Sequence, residues 1–331
     1  MQAEKTSHIV YLADVAPRSK FMASWERFRH GKGRWLVQFL AEAMATFLYT
    51  FAGAGSTAAW ILGNILAIPA LGSLLQIGVA YAVGIVLALT VCLPTSQGHA
   101  NPAFTIYAMA RGHCTPLRGL MLIVAQILGA YIACLLIYGQ YYDFIKEAIA
   151  ALESKGLYDE VMFTSQGPGG IFGLYTTPGD NLGNIFLNEF VCDFVLAVCI
   201  LASIEPTNTH TPPAMAPWTI GFIYAIVIWG YAPAALAANS ARDVGGRLAA
   251  LTFWGLPASG GRYAAIAALT NIPATFAGGL FYEFVLNDSS RPITPAHAES
   301  AACNKAYEEH AKGNVSSSDS IDYPDSEALP K

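Results

Sequence analysis

Apolar residues gather along the chain into six long runs, at about 35–62, 70–92, 117–139, 185–204, 215–231 and 262–286, with polar connections between them. A helix needs roughly 20 apolar residues to cross a hydrocarbon core about 30 Å thick, and in lipid its backbone groups have only one another as partners. The pattern therefore predicts six membrane-spanning helices. Two further segments, about 93–113 and 232–250, are moderately apolar, too short to span, and broken by Pro, Gly and Asn. Each sits between the second and third runs of a set of three. Such paired interruptions point to an inverted repeat with a site near the bilayer midplane. The expected fold is an all-α membrane protein of six transmembrane helices plus two re-entrant half-helices. The halves agree elsewhere too: Glu42 lies early in the first run and Glu189 early in the fourth, each in an aromatic-rich apolar stretch.

Composition supports a lipid solvent. Of 331 residues, 54% are hydrophobic and 12% charged, where a soluble domain carries roughly a quarter charged; the mean hydropathy is +0.42. Positive charges cluster before the first run (Arg18, Lys20, Arg27, Arg29, Lys32, Arg34) and after the second (Arg111, His113, Arg118), which places both segments in the cytoplasm. Six crossings then put both termini there. The first span follows a leader too long and hydrophilic for a cleaved signal peptide, so it is expected to act as its own anchor. The longest connection, 140–184, is net acidic and belongs outside, and its Gln166-Gly-Pro-Gly-Gly-Ile stretch reads as irregular loop. The expected organisation is a cytoplasmic tail over 1–34, a membrane domain over 35–286 with repeats at about 35–139 and 185–286, and a cytoplasmic tail over 287–331. That last tail has the composition of a disordered segment. Its glycosylation patterns at Asn287 and Asn314 lie on the cytoplasmic side and read as chance matches. The six cysteines form neither a disulfide framework nor a zinc spacing. The net charge of −5 carries no sign of a nucleic-acid partner. No cofactor or metal is expected, and no nucleophile or acid–base pair suggests an enzyme.

The interruptions carry the chemistry. The first reads Gly98-His-Ala-Asn-Pro-Ala-Phe-Thr and the second Ala237-Ala-Asn-Ser-Ala-Arg-Asp-Val-Gly-Gly-Arg. Asparagine is a favoured N-cap, and Pro102 sits where proline suits a first helical position. Half-helices entering from opposite faces would bring two N-termini together at the bilayer centre, each with about half a positive charge. The Asn101 and Asn239 amides would then point donors into a lumen. Such a site favours a solute that accepts hydrogen bonds, disfavours cations and interrupts a proton relay. One such segment alone is an ordinary helix start; two at matching places are not. Arg242 cannot lose its proton, so it would donate to a hydroxyl and repel cations.

On these residues the chain resembles the major intrinsic protein family of aquaporins and aquaglyceroporins over about residues 35–286. The first signature matches at His99, Asn101, Pro102, Ala103 and Thr105, and the second at Asn239, Ala241, Arg242, Asp243, Gly245 and Arg247. Asp243 after the arginine resembles the glycerol-conducting branch. Ser240 and Gly246 stand where proline is common in the family, and Ala267-Ala268 stands where the glycerol branch tends to carry Pro-Leu. The resemblance implies a passive channel, a homotetramer with one pore per subunit, and an outer constriction of Tyr81, Leu236, Arg242 and a span-5 residue. Counting from either end leaves that residue as Ile228 or Val227, with Ile228 preferred. Asp243 is expected to brace the region, and Glu42 and Glu189 to act as struts on loop backbone. His99 is expected to pack in its loop and fix the carbonyls before Asn101. Gly53, Gly55, Gly84 and Gly129 suit close helix contacts.

The expected solutes are water and glycerol, with water and hydrogen peroxide as the alternative. A secondary transporter also has broken helices and inverted repeats, but it would need midplane carboxylates, for which only Glu42, Glu189 and Asp193 could serve. The expected setting is a plasma membrane, with lipid around the spans.

Overall fold

The structure is a computed structural model and describes residues 9–16 and 18–311. Six apolar helices form a bundle: Arg34–Ile65, Leu74–Ser96, Pro116–Gln140, Leu182–Ile204, Ala216–Tyr231 and Tyr263–Leu286, here spans 1 to 6. There is no strand among the described residues. Five of the spans are long and apolar enough to cross a membrane. Span 5, at 16 residues, rises only about 24 Å. Span 6 is interrupted at Thr270, three residues before Pro273, whose missing N–H cannot close the helical ladder there.

Two short helices, Pro102–Ala110 and Ser240–Trp254, follow spans 2 and 5. Span 1 packs on spans 2 and 3, and span 4 on spans 5 and 6, while spans 2 and 5 meet each other. The first half-helix lies against spans 3 and 6, and the second against spans 3 and 6 from the other end. This is the pairing an inverted repeat requires.

Outward faces are apolar. On span 2, Leu75, Val79, Val83, Leu87 and Val91 recur every four residues and all are exposed. In water this stripe would be an unburied patch; in a bilayer it faces hydrocarbon. Inward faces use small residues so that backbones can approach. A Cβ on Gly129 would collide with the Ala43 carbonyl of span 1, one on Gly53 with the Tyr81 ring, and one on Gly84 would stand 2.8 Å from the Ala52 Cβ. Gly55, expected at such a contact, has nothing within 4 Å.

Three further segments depart from expectation. The connection 140–184 carries a helix at Tyr142–Ser154, which buries Ile145, Ala148 and Leu152 at spacings of three and four. The Gly/Pro stretch forms a single 3-10 turn at Pro168–Ile171. The tail expected to have no fold contains a helix at Pro295–Ala311. Its His310 stacks on Tyr11 at 4.3 Å, and its Tyr307 meets His30 at 5.7 Å. Both terminal segments therefore lie at one end of the bundle, as six crossings require. Residues 312–331, with the Asn314 pattern and the Ser316 stretch, lie outside the described residues.

The glycine contacts predict a paired result. Gly129→Ala should lower the midpoint of unfolding in detergent, at a cost of about 1–3 kcal/mol for overpacking. Gly55→Ala, in open space, should not lower it, and equal midpoints in the two variants would refute the close approach of spans 1 and 3.

Candidate conduction path

Each half-helix begins at an asparagine in extended conformation whose side chain caps the first turn. Asn101 Oδ1 accepts from the Ala103 N–H at 3.0 Å, and Asn239 Oδ1 from the Ala241 and Arg242 N–H groups at 2.9 and 3.3 Å. This fixes the amide nitrogens toward the opposite half-helix. Asn101 Nδ2 donates to the Ala238 carbonyl at 3.1 Å, and Asn239 Nδ2 to the Ala100 carbonyl at 2.7 Å. The two N-termini are thus laced together by a reciprocal pair of hydrogen bonds. Ala100 and Ala238 present those carbonyls from left-handed conformations, with φ of 48° and 54°. Alanine tolerates that region at a cost of about 1–2 kcal/mol, so the surroundings must hold it there.

Two carboxylates hold it. Glu42 Oε1 accepts from the Ala100 N–H at 2.6 Å, and Glu189 accepts from the Ala237 and Ala238 N–H groups at 2.7 Å each. Both glutamates are fully buried. Glu189 spends both carboxylate oxygens on backbone N–H groups, whereas Glu42 Oε2 has no partner among the described residues. Asp193 is one turn from Glu189, and its Oδ2 has no partner among the described residues.

His99 Nδ1 meets Thr105 Oγ1 at 3.2 Å, and Thr105 in turn donates to the Asn101 carbonyl at 3.1 Å. Gln126, which the sequence did not single out, donates to Glu42 and Thr105 at 2.7 and 3.0 Å and ties span 3 to this cluster. Pro102, Ala103, Ser240 and Ala241 are buried in the first turns of the two half-helices.

At the outer end Tyr81, Ile228, Leu236 and Arg242 line one cavity of about 290 Å³. Val227, the alternative span-5 residue, is buried and does not line it. The Arg242 guanidinium donates from Nε to the Tyr81 hydroxyl at 2.9 Å, from Nη1 to the Phe172 carbonyl at 2.6 Å and from Nη2 to the Ile171 carbonyl at 3.2 Å. A guanidinium has five N–H groups, so two remain for a solute. The close approach of Phe172 depends on Gly246, where a Cβ would collide with the same carbonyl. A proline at 246 could not fit this loop.

Asp243 joins the second half-helix to the outer loop. It accepts from the Leu174 N–H at 3.0 Å and pairs with Arg247 at 2.7 Å, while Arg247 also donates to the carbonyls of Leu174 and Ser259. Tyr175 sits against Arg247, 5.1 Å from its ring centroid, and burial pushes this loop phenol up to about 12, so it remains a neutral donor to the Ala258 carbonyl.

Ser240 replaces the rigidity of a proline with a tether. Its hydroxyl oxygen lies 2.7 Å from the Ala268 carbonyl and 2.6 Å from Asn271 Oδ1, and its single proton serves one acceptor at a time. Asn271 in turn donates to Asn101 Oδ1 at 3.3 Å. A chain of polar groups therefore connects the second half-helix, span 6 and the first half-helix.

A second cavity of about 200 Å³ opens at the inner end, lined by His99, Ala100, Asn101, Phe104, Asn239 and apolar residues of spans 2, 4 and 5. The Asn101 amide does not face it freely. Its second N–H points at the Tyr224 hydroxyl, 3.4 Å away. Tyr224 on span 5 and Tyr49 on span 1 border both cavities. Their spacing from Ile228 and Glu42 on known spans was available in the sequence, but their rotation toward the lumen was not.

A six-span bundle with two capped half-helices meeting between two cavities defines a membrane channel. Residues 31–258 match the family described as major intrinsic protein. Aquaporin-3 of Laccaria bicolor is 50% identical over 294 residues, covering 88% of this chain and 89% of that protein. Aquaglyceroporin-2 of Rhizophagus irregularis is 30% identical over 209 residues, 63% of each. The X-ray structure of the aquaglyceroporin from Plasmodium falciparum superposes with a TM-score of 0.64 at 20% identity, covering 76% of this chain and 97% of that one, and so shares its fold. The chain belongs to the major intrinsic protein family. It is a channel for water or small solutes and not an enzyme.

The Ser240 tether yields a stability prediction. Ser240→Ala leaves buried Asn271 Oδ1 or the Ala268 carbonyl without its donor, which costs about 1–3 kcal/mol. The unfolding midpoint in detergent should fall accordingly, and a midpoint equal to that of the native protein would show that the hydroxyl bridges nothing.

Proposed function

We propose that this channel conducts water and glycerol passively and excludes ions and protons, with Tyr81, Ile228, Leu236 and Arg242 as its outer selectivity filter. The observation that carries this reading is the face-to-face arrangement in the outer cavity of apolar side chains and an arginine with two uncommitted N–H groups. Glycerol presents carbon on one side and hydroxyls on the other, so it matches an apolar wall opposite a donor. Exclusion of cations rests on Arg242 and on the two half-helix N-termini, each with a partial positive charge. The aquaglyceroporin among its relatives is in keeping with this reading.

The channel works as a homotetramer with one pore per subunit in the plasma membrane. Both termini lie in the cytoplasm, on the side of Arg111 and Arg118, as the positive-inside rule requires. The domain organisation is a membrane domain over 35–286 flanked by two tails. Water and hydrogen peroxide without glycerol is a second reading, favoured by the two tyrosines between the cavities.

Stopped-flow light scattering of proteoliposomes separates the two. Against a glycerol gradient, vesicles with the channel should shrink and re-swell faster than empty ones, while against an impermeant osmolyte they should only shrink. Isoleucine is stiff and fills space that glycine would leave open, so Ile228→Gly should raise glycerol permeability more than water permeability. Fast shrinkage with no glycerol re-entry in either protein would replace glycerol with the narrower pair of solutes.

A further inference from the structure

The two cavities have only two lining residues in common, Tyr49 and Tyr224. These two side chains stand where the cavities adjoin. Both are almost wholly buried, and their rings meet edge to face with centroids 5.8 Å apart. Tyr81 of the outer filter lies 5.0 Å from Tyr49 on the other side. Three phenols therefore run in sequence from the arginine to the paired asparagines.

Their tethers differ. The Tyr81 hydroxyl accepts a 2.9 Å hydrogen bond from a permanent charge, Arg242. The Tyr224 hydroxyl accepts from the neutral Asn101 amide at 3.4 Å, beyond the usual 2.7–3.2 Å for an N–H donor and hence weak. The hydroxyl of Tyr81 is therefore held by the stronger bond and that of Tyr224 by the weaker. The Asn101 amide is also fully engaged while Tyr224 sits on it, because its other N–H goes to the Ala238 carbonyl. Asn239 spends one N–H on the Ala100 carbonyl and has one left.

We propose that Tyr49 and Tyr224 form a second selectivity constriction at the bilayer midplane, in which the Tyr224 hydroxyl occupies the donor of Asn101 and a solute passes by displacing it. The inference rests on conduction through the path described above and adds a determinant of the solute ratio. Water accepts a hydrogen bond in place of the phenol after a small ring movement. A polyol needs the two rings to part along its whole length. The pair therefore favours water over polyols independently of the outer filter, and the Tyr224 hydroxyl replaces an apolar wall with a group that both donates and accepts.

The test is water and glycerol permeability of proteoliposomes carrying native protein, Tyr224→Val, Tyr49→Leu or Tyr224→Phe, normalised to assembled channel. Tyr224→Val and Tyr49→Leu, which remove one ring of the pair apiece, should each raise the glycerol-to-water ratio several-fold. Tyr224→Phe keeps the ring and should leave that ratio near native. Water passage through the Phe variant should have a lower activation energy, because no phenol hydrogen bond has to be broken. If one ring deletion fails to assemble, the other decides. An unchanged ratio in an assembled ring-deletion variant, or a rise in Tyr224→Phe equal to that in Tyr224→Val, overturns the constriction. Native vesicles no more water-permeable than empty ones would overturn the channel itself. Native vesicles that pass water but no glycerol would overturn only the solute assignment, and gain of glycerol flux in Tyr224→Val would still support the constriction.

Discussion

Two helix N-termini meet inside an apolar bundle, and each N–H they expose there needs an acceptor. No bulk water supplies one at that depth, and an unsatisfied group in hydrocarbon costs several kcal/mol. The fold answers with four acceptors of known origin: the side-chain oxygens of Asn101 and Asn239 inside the half-helices, and the carboxylates of Glu42 and Glu189 from spans 1 and 4. Once those are in place, the asparagine amides have a defined direction, and their bonds to Ala238 and Ala100 set the distance between the half-helices. The cavities, the filter and the position of Arg242 all follow from that junction.

The outer half of the path depends on it through a second network. Arg242 leaves the first turn of its half-helix and is held by the carbonyls of Ile171 and Phe172, while Asp243 and Arg247 fasten the neighbouring Leu174. The long outer loop is therefore part of the filter rather than a cover over it. Gly246 admits the Phe172 carbonyl, and Ser240 ties the same half-helix to span 6. Two of the three departures from the family pattern, Gly246 and Ser240, are thus contacts with specific partners, a carbonyl in one case and a hydrogen-bonded amide in the other.

Much of this was legible in the sequence because each signal had one physical cause. Lipid demands long apolar runs, so the spans could be placed to within a few residues; helix starts demand caps, so Asn101 and Asn239 marked the half-helices. A glutamate in hydrocarbon needs a partner, so Glu42 and Glu189 read as struts. What stayed hidden depends on rotation and on packing between distant segments. Ile228 and Val227 differ by about 100° around span 5, and only the assembled bundle shows which faces the cavity. Nothing in the sequence pairs Tyr49 with Tyr224; only the packing of spans 1 and 5 brings their rings together. The helix Pro295–Ala311 was missed because its residues are polar, and its contacts with Tyr11 and His30 lie nearly three hundred positions away in the chain.

Buried carboxylates hold the backbone of the half-helix junction. Ala100 borders the inner cavity and Ala237 and Ala238 the outer one, yet their N–H groups point away from the lumen into Glu42 and Glu189. Residue-resolved hydrogen exchange on the reconstituted channel measures this directly. These three amides should exchange as slowly as those in the middle of the spans. Rapid exchange at Ala100, Ala237 or Ala238 in a channel whose spans stay protected would contradict it.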